Sequence, residues 1–306
     1  MPNVRKLANR ALLAGSMLAL PACGNALVAK PPSSVKPIQT DTNLYEKAHI
    51  SKNQDFEQFE PILENMANER PVPWTRVSFL SGSEFSEKCS SLAGACYRPP
   101  DDEIVINQRK LLPTILFCGN AGCPKETYDI WAFGSWLHEQ GHHYDRYYGH
   151  VNSRTDAWLN EVEAVAFEFY FGEHMAKHYD ARLGLSLLSK EHGHNAWPIP
   201  SQSAEILRRQ KWRYEGGEFD RGYAIYSVYS LLGVGFSSFG DVWYFIHKTP
   251  HDELQKTIIR YLPYYELGKE RSKSIYCNLA RGTQVKHAEM YFSFCENPES
   301  ASETDF

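Results

Sequence analysis

Residues 135–150 read "SWLHEQGHHYDRYYGH". Inside this stretch, His138-Glu139-Gln140-Gly141-His142 sets two histidines four residues apart. On a helix, residues so spaced stand one above the other on the same face, and two imidazoles can reach one ion. Glu139 lies about 100° further round. That puts it beside the ion rather than on it, where a base acting on water belongs. Gly141 has poor helix propensity, so its mid-helix place asks for a reason, and close packing against a second helix would be one. Two histidines do not complete a catalytic zinc site, which takes three protein ligands and an open fourth position.

The third ligand is sought downstream. Thr127 is a candidate N-cap for the helix that carries the motif, which should run to about Tyr148 and stop at Gly149. Ser153-x-x-Asp156 has the capping-box form. It opens a second predicted helix over 157–179, with Trp158, Val162, Val165 and Phe169 at helical spacing. Glu161 stands near the start of that helix, 18 intervening residues after His142. A helix–turn–helix of this length can bring that start back across the first helix. Glu163 is the rival ligand. It is two residues on, about 200° around the helix, and cannot share Glu161's face.

The ordered set His138-Glu139-x-x-His142, 18 residues, then Trp158-Leu159-Asn160-Glu161 resembles the gluzincin metallopeptidases. The alanyl-aminopeptidase branch is the most similar, and thermolysin is a more distant relative. Ala164 and Glu168 match positions that follow the second block, so the resemblance covers 138–168. It implies an α+β fold, with a zincin-like catalytic domain, a small mixed-sheet N-terminal lobe and a mostly helical C-terminal lobe. It implies one Zn2+ held by His138, His142 and Glu161. Glu139 would then be the general base for hydrolysis of a peptide or protein substrate. Glu168 shares the face of Glu161 approximately and could hold a ligand histidine from behind. The family also has an edge strand that pairs with an extended substrate, and "EIVIN", 103–107, stands in the right order for it, with a simple core strand as the alternative that the sequence leaves open.

The departures from that pattern limit what carries over. The Gly-x-Met-Glu-Asn block that anchors a substrate's free amine is missing, so true aminopeptidase activity is not inherited. The family's oxyanion tyrosine falls on Phe219 of "FDRG", 219–222, which has no hydroxyl. Tyr223 and Tyr226 are close by, and Tyr223 is the candidate catalytic donor. These departures motivate an alternative: a non-catalytic, zinc-stabilised envelope lipoprotein serving as a binding or assembly module.

The rest of the chain bears on location. Arg5, Lys6 and Arg10 precede the short apolar run "ALLAGSMLAL", 11–20, so residues 1–22 read as a signal peptide. The run is too short to span a bilayer. "LPAC", 20–23, resembles the lipobox of bacterial lipoproteins, with Pro21 as a departure and Cys23 as the lipidated first mature residue. Gly24 in place of Asp then implies an outer-membrane lipoprotein facing the periplasm or cell surface. Residues 23–45 read as a flexible tether, and 46–306 as the catalytic domain, divided into an α/β lobe over 46–150 and a helical lobe over 151–306. Losing three positive charges with the signal takes the net charge from −5 to −8. That argues against nucleic acid as a partner. The six other cysteines fall in pairs, Cys89/Cys96, Cys118/Cys123 and Cys277/Cys295, as for local disulfides in an oxidising compartment.

Within the domain, 46–69 reads as a helix and 74–82 as a strand, and 95–108 as two short strands around a Pro-Pro-Asp-Asp turn. Residues 223–240 carry no charge, yet their Ser and Gly content fits a buried helix ending near Gly233 rather than a membrane span. His143, His150, His174 and His178 read as helix-surface residues.

Overall fold

The two helices of the motif pack against each other. The computed structural model describes residues 56, 59–67, 75–90, 93–107, 125–147, 157–192, 218–282 and 295. All of them belong to one compact unit, Pro31–Phe306. The signal peptide, the lipobox, the whole tether, His150, Ser153 and the Cys118/Cys123 pair lie outside the described residues.

The architecture is α+β: mostly helical, with one three-stranded mixed sheet. After α1 (Glu60–Ala67) come β1 (Arg76–Leu80), α2 (Gly82–Lys88), β2 (Ala95–Arg98) and β3 (Glu103–Asn107). The helical part contains α3 (Lys125–Tyr147), α4 (Ala157–His178), α5 (Ala181–His192), α6 (Glu218–Gly233), α7 (Phe239–Lys248), α8 (His251–Tyr261) and α9 (Tyr265–Gly282). The uncharged stretch thus begins in α6, which is buried and ends at Gly233 as its composition suggested. Among the described residues no helix is long and apolar enough to cross a membrane.

The sheet order decides between the two readings of "EIVIN". β3, "EIVIN", is the central strand, parallel to β1 and antiparallel to β2. Ile104, Val105 and Ile106 are fully buried, and an unbroken apolar run suits a strand covered on both faces better than an edge. β2, "ACYR", has one paired neighbour among the described residues. The turn between β2 and β3 closes with Asp101 N–H donating to the Arg98 carbonyl at 3.2 Å. Asp102 takes φ +47° there, a conformation that aspartate tolerates better than most residues. Cys89–Cys96 ties the end of α2 to β2, and Cys277–Cys295 ties α9 to Cys295.

α3 lies between β2 and β3 on one side and α4 on the other. The Gly141 expectation holds. A Cβ at Gly141 would come within 2.7 Å of Ala164 Cα on α4, too close for any side chain. Gly141→Ala should therefore push α3 and α4 apart at their crossing. We expect a loss of about 1–3 kcal/mol from overpacking, checked by urea denaturation.

α4 packs against α3, α5, α6 and α7. Every residue from 162 to 176 is buried, so this helix is enclosed all round. Its polar groups then need partners, because burying an uncompensated charge is costly. Glu173 accepts from the Phe239 and Gly240 amides, at 2.8 and 3.2 Å, at the N-terminus of α7. The macrodipole favours a carboxylate there. His174 is buried, not a surface residue, and burial pushes its imidazole down to about 4, so it packs neutral. His143 is likewise buried, because α3 is covered by the sheet on that side, whereas His178 is exposed as expected.

Candidate metal centre

α3 contributes His138 and His142, one turn apart, and α4 contributes Glu161 from its first turn and a half. Their ligand atoms converge. The Nε2 atoms of His138 and His142 are 3.2 Å apart. Glu161 Oε2 is 3.2 Å from His138 Nε2, and Glu161 Oε1 is 3.4 Å from His142 Nε2. Donors bound to Zn2+ at about 2.05 Å on tetrahedral corners are about 3.3 Å apart. The triangle therefore has the size that a zinc ion requires. The three side chains keep 13 to 18 % of their surface exposed, so the group is reachable from outside.

A second layer sits behind His138. Its Nδ1 is 2.6 Å from Glu168 Oε1, so a proton held there turns the Nε2 lone pair toward the other ligands. This is the role anticipated for Glu168 from its helical phase. Glu168 in turn receives a bidentate pair from Arg221 on α6, Nη1 at 2.8 Å and Nη2 at 2.6 Å. Arg221 Nη1 also lies 3.3 Å from His138 Nδ1.

Arg221 had no sequence signal beyond one charge ahead of an uncharged stretch. Counting Glu139, Glu161 and Glu168 against Arg221 leaves two negative charges, which one divalent cation closes. Without a cation the imidazole takes part of that role. Burial alone would push His138 down, but its hydrogen bonds to Glu161 and Glu168 raise it to about 10. Burial would likewise raise Glu161, but His142 and His138 hold it well below the usual carboxylate range. Glu168 is depressed too, against burial, by Arg221 and His138.

Glu139 is 7 % exposed, and its Oε2 accepts a 2.7 Å hydrogen bond from the Tyr97 amide. That amide points away from β3, on the side of β2 with no paired strand among the described residues, and it fixes the carboxylate. Burial pushes the Glu139 carboxyl up, while His142 and His138 pull it partly back. The sheet is held to the helix again through Tyr97 Oη, which donates to Asp102 Oδ1 at 3.0 Å. Tyr97 Oη lies 3.0 Å from His143 Nδ1, and His143 Nδ1 lies 3.1 Å from the same Asp102 oxygen.

Glu163 and Tyr226 are engaged away from the triangle, and Tyr223 is buried. Glu163 turns away from the triangle and meets His247, as its phase required. Tyr223 is two residues beyond Arg221, about 200° around α6, and is 4 % exposed within the hydrophobic core. Tyr226 stacks on Tyr265 with ring centroids 4.2 Å apart, and its hydroxyl donates to the Leu262 carbonyl at 3.4 Å. Comparison with protein-family models, with curated proteins and with solved structures finds no match for this chain.

Proposed function

We propose that this chain is a zinc-dependent metallopeptidase of the gluzincin, zincin-like type, and not a true aminopeptidase. The observation that carries the proposal is the triangle of His138, His142 and Glu161, spaced for zinc, with the buried Glu139 beside it. Zinc bound there supplies a Lewis acid that acidifies water and polarises a carbonyl. His138 and His142 offer neutral Nε2 donors, and Glu168 sets the tautomer of the first. Glu139 takes the proton from the attacking water and returns it to the leaving amine. Its burial raises its proton affinity toward that of a working shuttle. The Tyr97 amide holds the carboxylate in place through the transfer. β2 is the edge that an extended substrate can join, with its Tyr97 amide already committed to Glu139.

The enzyme would act outside the cytoplasm, anchored through a lipidated Cys23. The Cys89–Cys96 and Cys277–Cys295 disulfides support an oxidising compartment.

One observation favours the non-catalytic binding module instead: the Tyr226 hydroxyl is engaged with the Leu262 carbonyl, and the place of the family's oxyanion tyrosine holds Phe219. The two readings part on a simple assay. The zinc-loaded chain, incubated with an unfolded protein substrate, is expected to cleave it at internal bonds. Cleavage should stop with a zinc chelator and return with added Zn2+. Zinc-loaded protein that leaves the substrate intact would establish the binding module.

A further inference from the structure

We infer that the same two helices, joined by α8, hold a second metal ion at Asp145, Glu163 and His251. Each residue offers one ligand atom, and these atoms all lie within 4.8 Å of one another. Asp145 comes from α3, Glu163 from α4, and His251 is the first residue of α8. The site follows from the crossing at Gly141 and Ala164. Beyond that close approach, Asp145 on one helix meets Glu163 on the other.

The burial of this group is what demands an ion. Asp145 is fully buried and Glu163 is 1 % exposed. The one side chain within hydrogen-bonding reach of Asp145 among the described residues is the Glu163 carboxyl, and no N–H or hydroxyl donor reaches either Asp145 oxygen. Buried carboxylates almost always accept hydrogen bonds or coordinate a metal. Glu163 cannot serve Asp145 as a partner while both are ionised, since a carboxylate only accepts. Ionised together, the two carboxylates would bring two buried negative charges, which one divalent cation balances.

His247 completes the set from behind. It is fully buried, and its Nδ1 lies 2.5 Å from Glu163 Oε1. A ligating carboxylate is commonly held in this way. Two carboxylates with one imidazole form a mixed oxygen and nitrogen set. That set suits a divalent first-row transition-metal ion such as Mn2+ or Zn2+, whereas Ca2+ and Mg2+ prefer oxygen donors throughout. Ligands from three helices, with two of them enclosed, describe a tie between elements rather than a second reacting centre. A proton shared between the carboxylates is the competing occupant, because burial and the Glu163 carboxylate raise Asp145 to about 10.

Metal stoichiometry decides between them. Full-length protein is loaded with Zn2+ or Mn2+, dialysed, and assayed for metal per chain by plasma mass spectrometry. The wild type should retain two equivalents. Asp145→Asn and His251→Gln should each retain one. His142→Ala should also retain one, the second-site ion. His251→Gln changes a partly exposed residue at a helix start, so it decides the matter if Asp145→Asn fails to fold. Wild-type stoichiometry in either folded variant overturns the second site. If His142→Ala matches the wild type while His251→Gln loses one equivalent, the peptidase centre fails and the second site stands.

Discussion

Glu139→Gln is expected to keep its zinc and lose peptide hydrolysis by at least about 10²–10⁴-fold, the range attached to a positioned general acid–base group. The substitution keeps the size and shape of the side chain. Its amide oxygen can still accept from Tyr97 N–H, which holds the carboxylate at 2.7 Å, so the path of β2 over α3 should not change. The three converging ligand atoms belong to His138, His142 and Glu161, so zinc content should stay at the wild-type level. What disappears is the only change that matters to proton transfer: glutamine cannot take up and return a proton.

Stability should move in the other direction. Burial raises the Glu139 carboxyl, so its ionised form is penalised in the folded chain. A raised folded-state value means that this group's contribution is most favourable at low pH and falls as pH rises through the carboxylate range toward neutrality. The glutamine variant should lack that component, and at pH 7 the metal-free variant should melt no lower than the metal-free wild type. Zinc content, turnover of an unfolded protein and thermal melting at pH 5 and 7 together check the account. Full turnover in a zinc-loaded Glu139→Gln variant would remove Glu139 from the mechanism.

The contrast between what the sequence disclosed and what it hid follows from range. The His138/His142 pair of the candidate metal triangle rests on helical phase, which is local and rigid. His138 and His142 are one turn apart, and Glu163 is excluded from Glu161's face by two residues of rotation. Gly141 could be read because a poor helix former in a strong helix signals a neighbour. The β2–β3 hairpin could be read because its Pro-Pro-Asp-Asp turn is local too.

What the sequence left open or misread lies where a distant segment decides. "EIVIN" alternates with nothing polar, and whether such a strand is central or at an edge depends on β1, more than 20 residues earlier. His143 and His174 resembled surface residues because the sheet and the flanking helices that cover them are far along the chain. Arg221 acts on Glu168 across 53 residues, and His251 joins Asp145 and Glu163 from a helix later still. No pattern within one helix contains those pairings.

The Glu168–Arg221 pair is where the largest loss of stability is expected. Glu168→Ala removes the acceptor from both guanidinium nitrogens, at 2.8 and 2.6 Å, while Arg221 stays 13 % exposed and 3.3 Å from His138 Nδ1. Breaking a buried pair from one side costs about 3–5 kcal/mol, because it leaves an unpaired charge in place. That charge would also sit against a zinc ligand whose Nδ1 has lost its carboxylate. Zinc affinity should then fall by at least the roughly 10–100-fold attached to removing such an outer partner.

Replacing both residues, as Glu168→Gln with Arg221→Met, removes the stranded cation. It should recover most of the stability while leaving zinc affinity reduced, since the introduced amide offers the His138 N–H only a neutral acceptor. Urea denaturation of the metal-free proteins and competition with a zinc chelator measure the two effects separately. Strong coupling in stability between the substitutions is the expected result. If Glu168→Ala costs less than about 1 kcal/mol, in the range of an exposed ion pair, then this pair does not support the metal centre in the way its geometry indicates.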